Sequence, residues 1–186
     1  LDEVEEMITT HHPESGWAEQ DPQEIETKAI LALKRILQPI DFEQNKLHGI
    51  GFSTAMHSLI CVDREKNALS NMIIWSDGRS SQQAEELLAS GGKELHLNTG
   101  TPIHPMTPLV KLKWMKETNF EPYRRAAYFM TIKDYLISRW FNKRWIDYAM
   151  AASTGLYNLA EHDWDRQALH IAGISKEQVA EIVAPD

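Results

Sequence analysis

Apolar positions follow two rhythms along the chain. Over residues 25–37, Ile25, Ala29, Ala32, Leu33, Ile36 and Leu37 recur at helical spacing. Asp21 stands at an N-cap position, Pro22 at the first helical position and Glu24 where a capping-box acid falls, and Pro39 stops the run. Further on the rhythm shortens. Leu47–Ser53, Leu59–Val62 and Met72–Trp75 are short apolar runs between turn residues, which predicts strands, and the polar stretch Asp63–Asn67 predicts a hairpin joining the last two. Ile8–His12 predicts a short strand before the turn Pro13–Gly16. Ser80–Ala89 predicts a helix ended by Gly91 and Gly92. Thr107 and Pro108 open another helix, which buries Leu109, Leu112 and Met115, and Ile132–Phe141 is a further one. Ser175 with Gln178 predicts a capping box for a final short helix carrying Val179, Ile182 and Val183. Glycine-flanked strands interleaved with helices predict an α/β fold with a layered sheet.

Composition narrows the function. The 186 residues allow one domain with a real core and not two full ones. A hydrophobic share of 42% and a charged share of 25% are those of a folded chain. No apolar run approaches the roughly 20 residues of a membrane helix, and the acidic stretch Asp2–Glu6 is no signal peptide. A net charge of −8 argues against nucleic acid, which needs a basic footprint. A small anion remains open, given a local cluster of donors. The single cysteine, Cys61, excludes an internal disulfide and suits the cytoplasm. Its place inside an apolar run makes it core rather than nucleophile. Adjacent His11 and His12 face opposite ways if extended, a poor metal pair, so no metal site is expected. No phosphate loop, zinc pair or nucleophile elbow is present.

Three loops carry more chemistry than scaffolding needs. They are Ser53–Ser58, Trp75–Arg79 and Thr101–Pro108; the first two follow strands and the third leads into a helix. Ligands of α/β proteins gather at the carboxyl ends of strands. A polyol needs paired donors and acceptors and an aromatic face for its carbon chain. These loops offer His57, Asp77, Arg79 and His104, with Trp75 as the face. Each has a plainer reading. Trp75 serves equally as core, Asp77 and Arg79 as an ion pair or helix cap, His104 as a brace for the turn before Thr107, and Met56 and Met106 as gap-fillers.

The residues in these loops also resemble a known family. Gly16-Trp17-Ala18-Glu19-Gln20-Asp21-Pro22, Gly51-Phe52-Ser53-Thr54-Ala55-Met56-His57-Ser58 and Ile73-Ile74-Trp75-Ser76-Asp77-Gly78-Arg79 resemble, in order, segments of the FGGY carbohydrate kinases. Met106 to Glu117 resembles the first family signature, with Thr118 departing at its final position; Asp147–Gly155 and Trp164-Asp165 resemble later segments. Thr99–Met106 looks like the gluconate kinase form of its loop.

The resemblance implies two actin-like (ribonuclease-H-like) domains with ATP and sugar meeting between them. It implies transfer of the ATP γ-phosphoryl group to a terminal hydroxyl, with Mg²⁺ and an aspartate base. The substrate would be a sugar or sugar acid, D-gluconate giving 6-phosphogluconate, with xylulose or another polyol as the alternative. A non-catalytic sugar-binding protein is a third reading, and a homodimer is left open. Met56, His57, Trp75 and Met106 fall at sugar-contacting positions of the family; Asp77, Arg79 and His104 are added from the loop chemistry. The family's opening D-x-G-T-[TS] hairpin, its later G-x-x-D-Q-type base segment and its second domain have no counterpart here. Residues 1–186 are therefore expected to be an internal part of the first, sugar-binding domain, with ATP and Mg²⁺ bound only by the full-length enzyme and this piece inactive alone. The absence of an initiator Met and an ending placed just after a helix point the same way.

Overall fold

A computed structural model describes residues 2–184. The elements run β1 (Glu19–Gln20), α1 (Pro22–Leu37), β2 (Ile60–Val62), β3 (Met72–Ile73), α2 (Ser81–Ala89), α3 (Gly92–Thr99), α4 (Pro108–Glu117) and α5 (Glu121–Arg125). They continue with β4 (Tyr128–Met130), α6 (Ile132–Phe141), β5 (Trp145–Asp147), α7 (Tyr148–Ser153), β6 (Tyr157–Asn158), β7 (Asp163–Trp164), α8 (Arg166–Ala172) and β8 (Glu181–Val183).

A central antiparallel ribbon organises these pieces. β1 pairs with β3 and β2 with β4, and a bridge between Leu59 and Ile73 joins the two pairs. Alternation along the ribbon feeds two cores, because successive strand residues face opposite sides. Leu59, Cys61 and Ile73 pack with Leu87, Leu95, Leu112 and Met115 of α2, α3 and α4, and with Leu169 of α8. Ile60, Val62, Met72 and Ile74 pack with Ile132, Tyr135 and Leu136 of α6, and Ile25 of α1 leans on the same cluster. The ribbon thus has helices on both faces. β5 pairs in parallel with β8, and β6 with β7 antiparallel, beside the larger core.

Local chemistry explains most element ends. The Asp21 side chain accepts from Gln23 N at 2.8 Å, so it caps α1 as the sequence predicts. Glu24 does not close a box; it binds Thr9 and Lys28 instead. α4 and α6 occupy the predicted segments, and Leu109, Leu112 and Met115 are buried. The expected hairpin forms around Asp63–Asn67, whose ends exchange Asp63 N to Asn67 O (3.0 Å) and Asn67 N to the Asp63 carboxylate (2.8 Å).

Four expectations need correction. Ile8–His12 is not a strand; His11 alone exchanges backbone hydrogen bonds with Glu19. Leu47–Ser53 has no regular structure, and Leu47 and Ile50 are exposed, because no strand lies beside it among the described residues. The Ser175–Gln178 capping box exists but caps a single 3-10 turn, and Ile182 and Val183 then extend as β8 because β5 offers them a partner. The described chain thus leads into a strand near its end, not out of a helix. Gly91 does end α2, in the left-handed region at φ 109°, but Gly92 opens α3, which the pattern reading missed. A Cβ on Gly92 would lie 2.9 Å from the Leu87 carbonyl oxygen, so only glycine allows the two helices to follow so closely.

Candidate functional site

The loop after β3 is built around an internal ion pair. Asp77 accepts from Ala18 N at 2.6 Å, from Arg79 N at 3.0 Å and from Arg79 Nε at 2.9 Å. Arg79 Nη2 donates to the second Asp77 oxygen at 2.8 Å and to Glu19 at 2.7 Å. The guanidinium lies over the Trp17 ring, 3.7 Å from its centroid, with Trp114 on its flank at 5.3 Å. The two side chains are 0% and 1% exposed. Charge-assisted, bidentate pairing and a cation over an indole are what make such a buried pair tolerable. The expectation that Asp77 and Arg79 present groups to a polyol is corrected here. Both clasp the loop to β1 from inside, with Arg79 Nη1 alone lacking a hydrogen-bond partner among the described residues.

Their neighbour does the opposite. Trp75, just beyond β3, is 60% exposed and belongs to neither core. Met56, on the loop before β2, is also exposed. Met72, by contrast, is plain strand core.

His57 adopts a left-handed backbone, φ 63°, which is uncommon for a residue with a side chain and costs about 1–3 kcal/mol. Its ring Nδ1 lies 2.8 Å from the carbonyl oxygen of Ser153, at the end of α7. A carbonyl only accepts, so Nδ1 carries the proton and Nε2 keeps a lone pair. Burial first, and the nearby charges of Lys111 and His104, hold the His57 pKa below its ordinary value. The neutral ring with an acceptor Nε2 is therefore the form at neutral pH.

His104 has the reverse tautomer. It is exposed, and its Nδ1 accepts from Met106 N at 3.2 Å, leaving the ring proton of the neutral form on Nε2. Its carbonyl accepts from Thr107 N and Oγ1 at 3.0 and 2.9 Å, so it also braces the turn into α4. Met106 is half-buried in that turn. Ser80 Oγ donates to Pro105 O at 3.0 Å, tying this turn to the loop that bears Asp77 and Arg79.

One residue that unites the loops was missed from the sequence. Lys111 of α4 is fully buried, and its Nζ donates to His57 O at 2.5 Å, to Ile74 O at 2.9 Å and to Ile73 O at 3.3 Å. Burial pushes its ammonium down to about 7, with Asp77 pulling it back up and Arg79 pushing it further down. Only the structure reveals it: Pro108 to Leu112 is buried without a break, so the lysine falls where an apolar residue belongs. Cys61 is core as predicted, its thiol pushed up to about 12 by burial. An open cleft of about 400 Å³ between the α2–α3 junction, α4 and α8 holds none of the sequence-predicted residues.

Comparison with known proteins agrees with this architecture. Residues 2–185 match the model of the FGGY family of carbohydrate kinases, N-terminal domain. A gluconokinase of Bacillus subtilis is 38% identical over 172 residues, covering 92% of this chain and 33% of the relative. A xylulose kinase of Staphylococcus xylosus is 33% identical, covering 94% of this chain and 36% of the relative. The crystal structure of a gluconate kinase from Lactobacillus acidophilus superimposes with a TM-score of 0.93 at 33% identity, over 98% of this chain and 37% of that one. The chain thus spans about a third of the length of the relatives it matches. Its fold is the actin-like fold of these kinases. By family match, sequence identity and superposition together, the chain belongs to the FGGY family of carbohydrate kinases, matching its N-terminal domain.

Proposed function

We propose that this chain is the sugar-holding part of an ATP-dependent carbohydrate kinase whose substrate is a sugar acid, D-gluconate, phosphorylated at a terminal hydroxyl to 6-phosphogluconate. The observation that carries the reading is the opposite polarity of two imidazoles on adjoining loops. His57 offers an acceptor at Nε2, suited to a sugar hydroxyl, and His104 offers a donor at Nε2, suited to a carboxylate. The exposed Trp75 indole covers the carbon chain, and Met56 and Met106 supply apolar contact. Asp77 and Arg79 hold the Trp75 loop from inside.

The described residues do not fit Mg²⁺·ATP. No three His, Cys, Asp or Glu side chains among them come together, and the buried carboxylates have internal partners: Arg79 for Asp77, Thr131 for Asp134, Lys133 for Asp147 and Ala168 N for Asp165. The nucleotide site is assigned to the remainder of a longer protein, and the work of these residues is to hold and orient the sugar. The 186-residue chain alone then releases no ADP on addition of gluconate and ATP.

A xylulose kinase is the second reading, favoured by the Staphylococcus xylosus relative. Steady-state kcat/KM for gluconate and xylulose on the full-length enzyme separates the two. At least a tenfold preference for gluconate supports the sugar-acid reading, and the reverse preference replaces it.

A further inference from the structure

We infer that Lys111 is a positioning residue for the sugar: through one buried amine it fixes the distance between the Met56–His57 loop and the Ile74–Trp75 loop. The inference rests on the sugar site proposed above. It stands on geometry that no other residue of α4 shares. The Nζ bridges the carbonyl of His57, on one loop, and the carbonyls of Ile73 and Ile74, on the other. These are the residues immediately before β2's approach and immediately before Trp75.

The chemistry explains why a lysine is there. His57 is in the left-handed region, so its peptide is turned away from the direction a strand would give it. Its carbonyl then needs a donor that the strand ladder does not supply. An ammonium at the end of a four-carbon stem can reach in from a helix and offer three N–H groups from one point. Three carbonyls converge on it, which uses that capacity in full. The ring of His57 is fixed separately, by Ser153. Backbone and side chain of the same residue are thus held from two helices, α4 and α7.

A guanidinium cannot reproduce this, because its nitrogens are spread over a planar fork rather than gathered at a point. Lys111→Arg therefore keeps the charge and loses the shared pivot. Lys111→Met keeps the length and removes the donors, and serves if the arginine variant does not fold. Both are made in the full-length protein. The sugar used is whichever of gluconate, xylulose or glycerol the wild type phosphorylates best. Sugar KM should rise at least tenfold while ATP KM stays within twofold. In the sugar-free protein, amide exchange should quicken at residues 56–58 and 74–76 but not along the middle of α4. Equal changes in both KM values, or unchanged exchange at both loops, overturn the inference. If the wild type phosphorylates none of these sugars, the kinase reading fails by itself, and the exchange result alone decides the role of Lys111.

Discussion

The guanidinium of Arg79 lies 3.7 Å from the centre of the Trp17 ring while its edge is bound by Asp77. A residue 62 positions away in sequence thus forms the floor under the loop that carries Trp75. With both charged side chains essentially unexposed, removing Asp77 leaves Arg79 buried with Glu19 as its remaining carboxylate partner. Asp77→Asn should cost about 3 kcal/mol of stability, the low end for a broken buried pair, because Glu19 still holds the guanidinium. A urea melt of wild type and variant measures it, and a loss below about 1 kcal/mol would show that the pair is not a structural clasp.

Trp75→Ala should behave in the opposite way. The indole is exposed, so its removal should change stability by no more than about 0.5 kcal/mol. Sugar kcat/KM in the full-length enzyme should fall, with KM rising. Unchanged kinetics would remove Trp75 from the sugar site.

His104→Ala tests the sugar-acid assignment. A charge-assisted hydrogen bond is worth about 1.5–3 kcal/mol, so its loss should lower kcat/KM for gluconate about tenfold to a hundredfold. A neutral polyol of similar length should be affected much less. His57→Ala should harm both, since its acceptor serves a hydroxyl. An equal loss for all substrates in His104→Ala would reduce that residue to a brace for the turn before Thr107.

The depressed pKa of His57 predicts a pH dependence with a definite sign. Its folded value lies below 6.5, so unfolded chains bind more protons in the interval between the two. The contribution is fully present above about pH 6.5 and is lost as pH falls through the folded value. Asp134 runs against it: burial pushes this carboxyl up to about 7, so its contribution is present at low pH and lost as pH rises through that value. The informative quantity is therefore the difference between wild type and His57→Gln in stability from pH 7.5 to 5. Wild type should lose more on acidification. Parallel curves would mean that His57 is not held neutral by its surroundings.

Several elements were legible from pattern alone. α1 and α6 have side-chain caps and α4 opens on Pro108, local features that depend on neighbours within a few residues, and all three helices form where expected. The short helices α5, α7 and α8 were not seen, because five to seven residues carry too little periodicity. β8 was misread as helix because its strand character comes from pairing with β5, some 36 residues earlier. At the candidate site, loop chemistry singled out segments that lie together in the fold but not the direction of each side chain. Trp75 and Asp77 are two residues apart, yet one is exposed and the other buried. That outcome depends on Ala18 N, 59 residues earlier, meeting Asp77, a contact that no local rule contains. Lys111 escaped for the same reason: its partners are backbone carbonyls, which leave no trace in residue type.

The division of labour along β2 limits how the loop before it can change in length. Leu59 and Cys61 belong to one core and Ile60 and Val62 to the other, while Ser58 Oγ, just before them, receives the Ile132 N–H at 3.0 Å. Adding or deleting a single residue here would exchange the two sets of side chains between cores. The Met56–His57 loop is therefore anchored at a fixed distance from its strand, and insertions have room only on its other side, in the exposed stretch that precedes it. If the proposed sugar site holds, new preferences on this scaffold come from replacing side chains at 56, 57, 75 and 104 rather than from lengthening the arm that carries them.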